Sequence, residues 1–150
     1  MEEKAFELEL ELEDGYRFLT RFDMEGVPDL ITDEPPPIGE GVGPSPSRML
    51  ALASANCLAA SLLFCFKKAR VDVAGLKVRV RTELTRNDKG RIRIGSIHVV
   101  LRPDIQPDDR DRIQRCLSLF EDFCLVTESI RSGIEVNVEV DPIVQNLDPA

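Results

Sequence analysis

The sequence predicts an α+β domain, on three observations. Several segments alternate apolar and polar residues with a period of two and are joined by turn-forming residues. One long run is apolar on nearly every side, and a second helical pattern precedes a last alternating segment. The predicted order is ββ(β)-α-ββ-α(α)-β, with antiparallel hairpins around a long buried central helix. At 150 residues the chain fits a single domain, 1–150, large enough to bury its own core.

Phe6, Leu8, Leu10 and Leu12 alternate with Glu7, Glu9, Glu11 and Glu13, which gives a strand with one apolar and one wet face. Asp14-Gly15 is a hairpin turn signal, and "YRFLTRF" is the return strand. Residues 24–47 lose periodicity and carry six of the ten prolines. A loop of that length in a small domain is functional or packed on a partner, and "DLIT" within it has the composition of a short strand. Ser45-Pro46 opens the central helix, the serine capping free amides and the proline fitting the first helical position. From Pro46 to about Ala69 the helix is apolar nearly all round, more than one small sheet covers, so a second subunit is expected to complete its burial.

"VAGLKVRVRTELTR", the turn "NDKG" and "RIRIGSIHVVLR" form a second hairpin. Its returning strand changes parity between Ile94 and Ile97, and Gly95-Ser96 at the slip predicts a β-bulge. Pro107-Asp108-Asp109 opens a helical stretch that runs to Ser132 and stops at Gly133. "IEVNVEV" then alternates and is expected to close the sheet, leaving 142–150 as a tail.

A formal net charge of -8, with no long basic stripe, argues against nucleic-acid binding. The acidic, alternating start is unlike a signal peptide, and the apolar stretch Met49–Phe66 contains Ser54, Asn56 and Ser61, as a buried helix does and a membrane span rarely does. The expectation is a cytoplasmic protein whose four cysteines stay reduced. Cys57 to Cys65 and Cys116 to Cys124 are each spaced by 8 residues, which matches no common zinc pattern, so no metal or cofactor is expected. His98, the sole histidine, sits in a strand pattern and is read as strand packing rather than as a catalytic base.

Taken together, "GPSPSRMLALASANC", the hairpin after it, and "RDRIQRCLSLFEDFCLVTESIRSGIEVNVEV" resemble the OsmC/Ohr family of thiol peroxidases over nearly the whole chain. The resemblance implies an OsmC-like fold and an intertwined homodimer. It also implies a reaction in oxidative-stress defence: an attacking cysteine reduces an organic hydroperoxide, a second cysteine captures it as a disulfide, and an external dithiol restores both. By position Cys57 matches the attacking residue and Cys124 the resolving one. Cys65 and Cys116 match no family role and are read as core thiols.

Chemistry requires the thiolate, because a thiol with a pKa of roughly 8.5 is mostly protonated at neutral pH. Family members supply an arginine from the first hairpin, held by a glutamate in an N-P-E element. Arg17 is the candidate for that cation, with Arg21 second. Here Ser45-Pro46-Ser47 stands in the place of that element, so Ser47 replaces the acid and can hydrogen-bond an arginine without pairing with its charge. Asn56, beside Cys57, satisfies a nearby backbone group or donates to a bound oxygen. The alternative reading is a dimeric protein of the same fold that binds a hydrophobic small molecule without turnover.

Overall fold

A computed structural model describes residues 3–145. The first hairpin forms as its alternation requires: β1 (Leu8–Asp14) pairs antiparallel with β2 (Arg17–Phe22), and Gly15 at the turn has φ 54. A left-handed residue there is what a tight hairpin asks for, and glycine supplies it without a Cβ penalty. The short strand read in "DLIT" is present as β3 (Leu30–Thr32), which adds to the free edge of β2. These three strands form one sheet in the order β1-β2-β3.

The central helix α1 spans Pro46–Lys68. Ser45 caps it, its Oγ accepting from the Arg48 amide at 3.4 Å, and proline occupies the first turn. Lys67 and Lys68 lie in the last turn, where cations suit the negative end of the helix dipole. One stripe is buried: Ala51, Ser54, Ala55, Leu58, Leu62 and Phe66. The other faces are not, and Leu52 and Phe64 are 55% and 57% exposed. The helix is long and apolar enough to cross a bilayer by length and composition. Within this chain, however, its stripe packs on protein.

The second hairpin joins β4 (Val73–Arg86) to β5 (Ile92–Ile105) as a separate two-stranded sheet. Asn87 organises the turn, its Oδ1 accepting from the amides of Lys89 and Arg91, each at 3.0 Å. Glu83 pairs with Ser96 and Leu84 with Ile94, so Gly95 is the extra residue of a bulge, as the parity change predicts. A Cβ on Gly95 would stand 3.0 Å from Thr85 Cγ2, a close approach that explains why glycine serves at this slip.

Three expectations are corrected. The helical stretch before Ser132 is not continuous. It consists of a 3-10 turn at Pro107–Asp109, α2 (Ile113–Leu119), a second 3-10 turn at Phe120–Phe123, and α3 (Leu125–Ser132). The break falls at Cys124, whose extended backbone (φ -80, ψ 102) turns a buried side chain toward α1 and starts a new helix. Next, the alternating segment 134–140 closes no sheet within the chain, and Val136, Val138 and Val140 are 76%, 82% and 84% exposed. Its period is that of a strand, but among the described residues no strand edge lies beside it. Of the expected tail, residues 142–145 are exposed coil and 146–150 lie outside the described residues.

The third correction concerns sulfur. Cys65 and Cys116 are not free core thiols but a disulfide, with their Cα atoms 5.6 Å apart. The bond lies within the main core, among Leu62, Phe66, Val71 and Ile113, with Val73, Leu101, Ile105 and Phe120 packed around it. Packing alone brings the two residues within bonding distance: Cys65 follows Leu62 on α1, and Cys116 follows Ile113 on α2, each by three residues. The spacing argument considered pairs on one helix and so missed a bond between two.

Closing a loop with a sequence separation of 51 removes much chain entropy from the unfolded state. The Cys65→Ala/Cys116→Ala double variant is therefore expected to lose about 4 kcal/mol of stability. Urea unfolding of the oxidised protein and the variant measures it, and equal midpoints would mean that the bond does not constrain the unfolded chain.

Candidate functional site

Cys57 stands mid-way along α1, and Cys124 is the N-cap of α3. Both are free thiols. The fold places them against each other: α3 packs on α1, and the two sulfurs are close enough to share a hydrogen bond. Cys57 is partly exposed, whereas Cys124 is 0% exposed.

The start of α3 is what surrounds the pair. The first amides of a helix have no intrahelical acceptor and point outward along its positive end. Here the amides of Val126 and Leu125 donate to the Cys57 sulfur, and those of Thr127 and Val126 to the Cys124 sulfur. The Thr127 hydroxyl also acts on Cys124. Thr127 is buried, at 8% exposure, and its Oγ1 makes no hydrogen bond of ordinary geometry to a nitrogen or oxygen.

The two thiols ionise unequally. Burial pushes the Cys57 thiol up from its ordinary value, and its bond to Cys124 and the charge there add to the effect against the helix amides. Burial also opposes charge on Cys124. There the Thr127 hydroxyl, the Cys57 thiol and the amides of Thr127 and Val126 outweigh it, and the thiol is held below its ordinary value. The charge of the pair thus falls on the sulfur away from solvent.

A cavity of about 670 Å³ lies beside this junction, between α1, β5 and α3. Leu58, Ile97, Val99, Phe120 and Ile130 give it apolar walls, and Ser54 and Thr127 belong to its lining. His98 also reaches it from β5, where it pairs with Arg81 across the hairpin. Among the described residues, no three His, Cys, Asp or Glu side chains cluster as a metal site would require.

The other sequence candidates lie elsewhere. Arg17 forms an ion pair with Glu40 at 2.9 Å, and its charge acts on Asp33. Its Nε is buried without a hydrogen-bond partner. Arg21 is exposed and pairs with Glu11 at 3.3 Å. Ser47 lies in the first turn of α1, its Oγ 3.2 Å from that of Ser45. Asn56 is exposed on α1. Sulfur meets sulfur in this chain, and the first-hairpin arginine meets the loop acid.

Asp33 holds that loop. Its carboxylate accepts from the amides of Glu34 at 2.8 Å and of Glu40 and Val42, each at 3.2 Å. Gly39 is needed where the chain folds back, because a Cβ there would collide with the Glu34 carbonyl. Glu40 is thereby presented to Arg17. Two features were hidden from sequence reading. Thr127 was read as mid-helix, although "CLVT" has the form of a cap residue followed three positions later by a hydroxyl. Asp33 and Glu40 lie in a segment without periodicity, where no pattern marks a carboxylate as structural.

The sequence profile for OsmC-like protein matches residues 39–139. Solved structures with the same fold include an OsmC-like protein from Mycoplasma pneumoniae, 14% identical, with 87% of this chain and 89% of that chain covered at a TM-score of 0.71. An organic hydroperoxide resistance protein from Elizabethkingia anophelis is 16% identical over 89% and 93%, with a TM-score of 0.63. The organic hydroperoxide resistance protein OhrB of Bacillus subtilis is 20% identical over 91% and 98%, with a TM-score of 0.57. No curated protein matches the chain.

The Asp33 carboxyl ionises below its ordinary value of 3.8: burial works against charge, but the amides of Val42, Glu34 and Glu40 and the Arg17 charge prevail. A carboxyl lowered on folding stabilises fully above its unfolded value, and that contribution is lost as pH falls through the lower, folded value. Asp33→Asn is expected to lower the melting temperature at neutral pH and to expose the 33–44 loop to proteolysis. Below pH 3.8 the gap between variant and wild type should narrow, and a gap independent of pH would contradict the assignment.

Proposed function

The chain belongs to the OsmC-like family, and on that premise we propose that it is a thiol-dependent peroxidase acting on organic hydroperoxides through Cys57 and Cys124. One observation carries this reading. The two free thiols meet at the junction of α1 and α3, while the other two cysteines are already bonded to each other. The organic hydroperoxide resistance proteins among the solved neighbours support the choice of substrate class.

Exposure assigns the roles. Cys57 is the sulfur that solvent and peroxide reach, whereas Cys124 is fully covered. Cys57 attacks the terminal peroxide oxygen, the O–O bond breaks, and the alkoxide leaves to be protonated as an alcohol. Cys57 is left as a sulfenic acid. Cys124 then attacks the Cys57 sulfur, its hydroxyl leaves as water, and a Cys57–Cys124 disulfide forms. An external dithiol returns both to thiols by exchange, supplying two electrons.

The acid missing at Ser47 has a replacement in Glu40, which holds Arg17 as the family's glutamate holds its arginine. Arg17 is the cation of the active form, and a homodimer provides the geometry in which it serves the thiol. Two surfaces support that assembly: the exposed apolar side of α1 and the unpaired alternating segment 134–140. The reaction fits a cytoplasmic role in oxidative-stress defence, with no nucleic-acid or membrane partner.

A second reading has one observation in its favour. The apolar cavity of about 670 Å³ is of a size that holds a drug-sized ligand. On that reading the protein is a dimer that binds a hydrophobic small molecule without turnover.

Adding one equivalent of an organic hydroperoxide to the protein with Cys57 and Cys124 reduced separates the two. Intact mass should fall by the mass of two hydrogens, and peptide mapping should find Cys57 linked to Cys124. Cys57→Ser should consume no peroxide. Equal, slow consumption by variant and wild type would favour the binding protein. Apolar hydroperoxides should react faster than hydrogen peroxide, because the cavity walls offer little to a small polar oxidant.

A further inference from the structure

The peroxidase reading leaves a conflict. Cys57 is the accessible thiol, yet it is the member of the pair that burial and its partner keep protonated. The proton must leave Cys57 as its sulfur attacks, and a base must stand beside it. We infer that Cys124 is that base, held as the charged member of the pair by the Thr127 hydroxyl and the first amides of α3, so that Thr127 is a positioning residue for the reaction.

Three observations converge here. α3 is 8 residues long and begins at Cys124, so its free amides lie on the sulfur side of the junction. Thr127 is 8% exposed with an Oγ1 that no nitrogen or oxygen satisfies. An idle buried hydroxyl costs about 1–3 kcal/mol, a cost that a negatively charged sulfur in reach removes. Ionisation follows the same geometry, with Cys124 lowered and Cys57 raised.

The surrounding charges do not account for it. The charged side chains on the neighbouring elements are Glu121 and Asp122 in the 3-10 turn and Glu128 and Arg131 on α3. Arg131 is committed to Glu121 at 2.9 Å and bridges Glu128 as well. On α1, no charged residue stands between Arg48 and Lys67. The anion is therefore held by dipoles and a hydroxyl rather than by an ion pair.

The proposal rests on the peroxidase reading and balances as follows. Cys57 thiol, Cys124 thiolate and hydroperoxide give Cys57 sulfenic acid, Cys124 thiol and alkoxide, the proton passing from Cys57 to Cys124. The alkoxide takes a proton from water. Cys57 sulfenic acid and Cys124 thiol then close to the disulfide, and the sulfenic hydroxyl leaves with the Cys124 proton as water. Cys124 thus acts first as base and then as the resolving sulfur.

The test isolates Cys124. In a Cys57→Ala background the Cys65–Cys116 bond stays closed, and Cys124 is the single thiol whose ultraviolet thiolate absorbance titrates with pH. Adding Thr127→Val should move the midpoint up by about one pH unit. Thr127→Ala should move it likewise, and Thr127→Ser, which keeps the hydroxyl, should restore it. If Val and Ala leave the midpoint unchanged and Val raises the melting temperature, the hydroxyl is idle and the inference is overturned. In the otherwise wild-type chain, Thr127→Val should slow disulfide formation by peroxide several-fold near neutral pH and recover at alkaline pH. If the wild type itself consumes no peroxide, the peroxidase reading fails, while the titration still decides whether Thr127 sets the charge on Cys124.

Discussion

The structure depends on how α1 packs against the segment from Ile113 to Ser132. The buried stripe of the helix, from Ala51 to Phe66, is the wall on which α2, the 3-10 turn and α3 all rest. Two sulfur pairs join these elements like rungs. Cys57 meets Cys124, and eight residues further along α1 Cys65 meets Cys116, eight residues earlier in the opposing segment. The two runs are therefore antiparallel and in register. One rung is a covalent bond in the core. The other is reduced, at the junction where a new helix begins.

That division assigns different work to chemically identical residues. Around Cys65 and Cys116 the neighbours are leucine, isoleucine, valine and phenylalanine, which stabilise no charge. Around Cys57 and Cys124 stand free amide dipoles and a hydroxyl. A thiol becomes reactive through its ionised form, so the environment rather than the residue type decides which pair does chemistry. A helix break in the sequence of contacts is what creates that environment. Had the helical stretch been continuous through Cys124, the amides of Leu125, Val126 and Thr127 would be spent on carbonyls four residues back.

Much of this fold was legible in the sequence, because period-two and all-apolar patterns report on burial directly. β1 through β5, the Ser45 cap, the Gly95 bulge and the span of α1 follow from such patterns. The parts that were not legible depend on tertiary contact. No periodicity distinguishes a continuous helix from one interrupted at Cys124, since both halves keep the same apolar spacing. Nothing local reveals that Cys65 faces Cys116 on another helix. The loop before α1 is a third case: Asp33 orders it through backbone amides and delivers Glu40 to Arg17, which no alternation encodes. For the site, position along the chain singled out Cys57 and Cys124, whereas Thr127 needed the three-dimensional neighbourhood.

The rung spacing has a consequence for oxidative folding. Four cysteines allow three ways of closing two bonds. Eight residues of helix separate the rungs by about 12 Å, well past the roughly 7 Å that a disulfide spans between Cα atoms. Once α1 has formed, scrambling between rungs is closed off by distance alone. Oxidant can cycle the outer pair repeatedly without the inner bond being drawn into exchange, so the scaffold keeps its staple while its neighbour turns over.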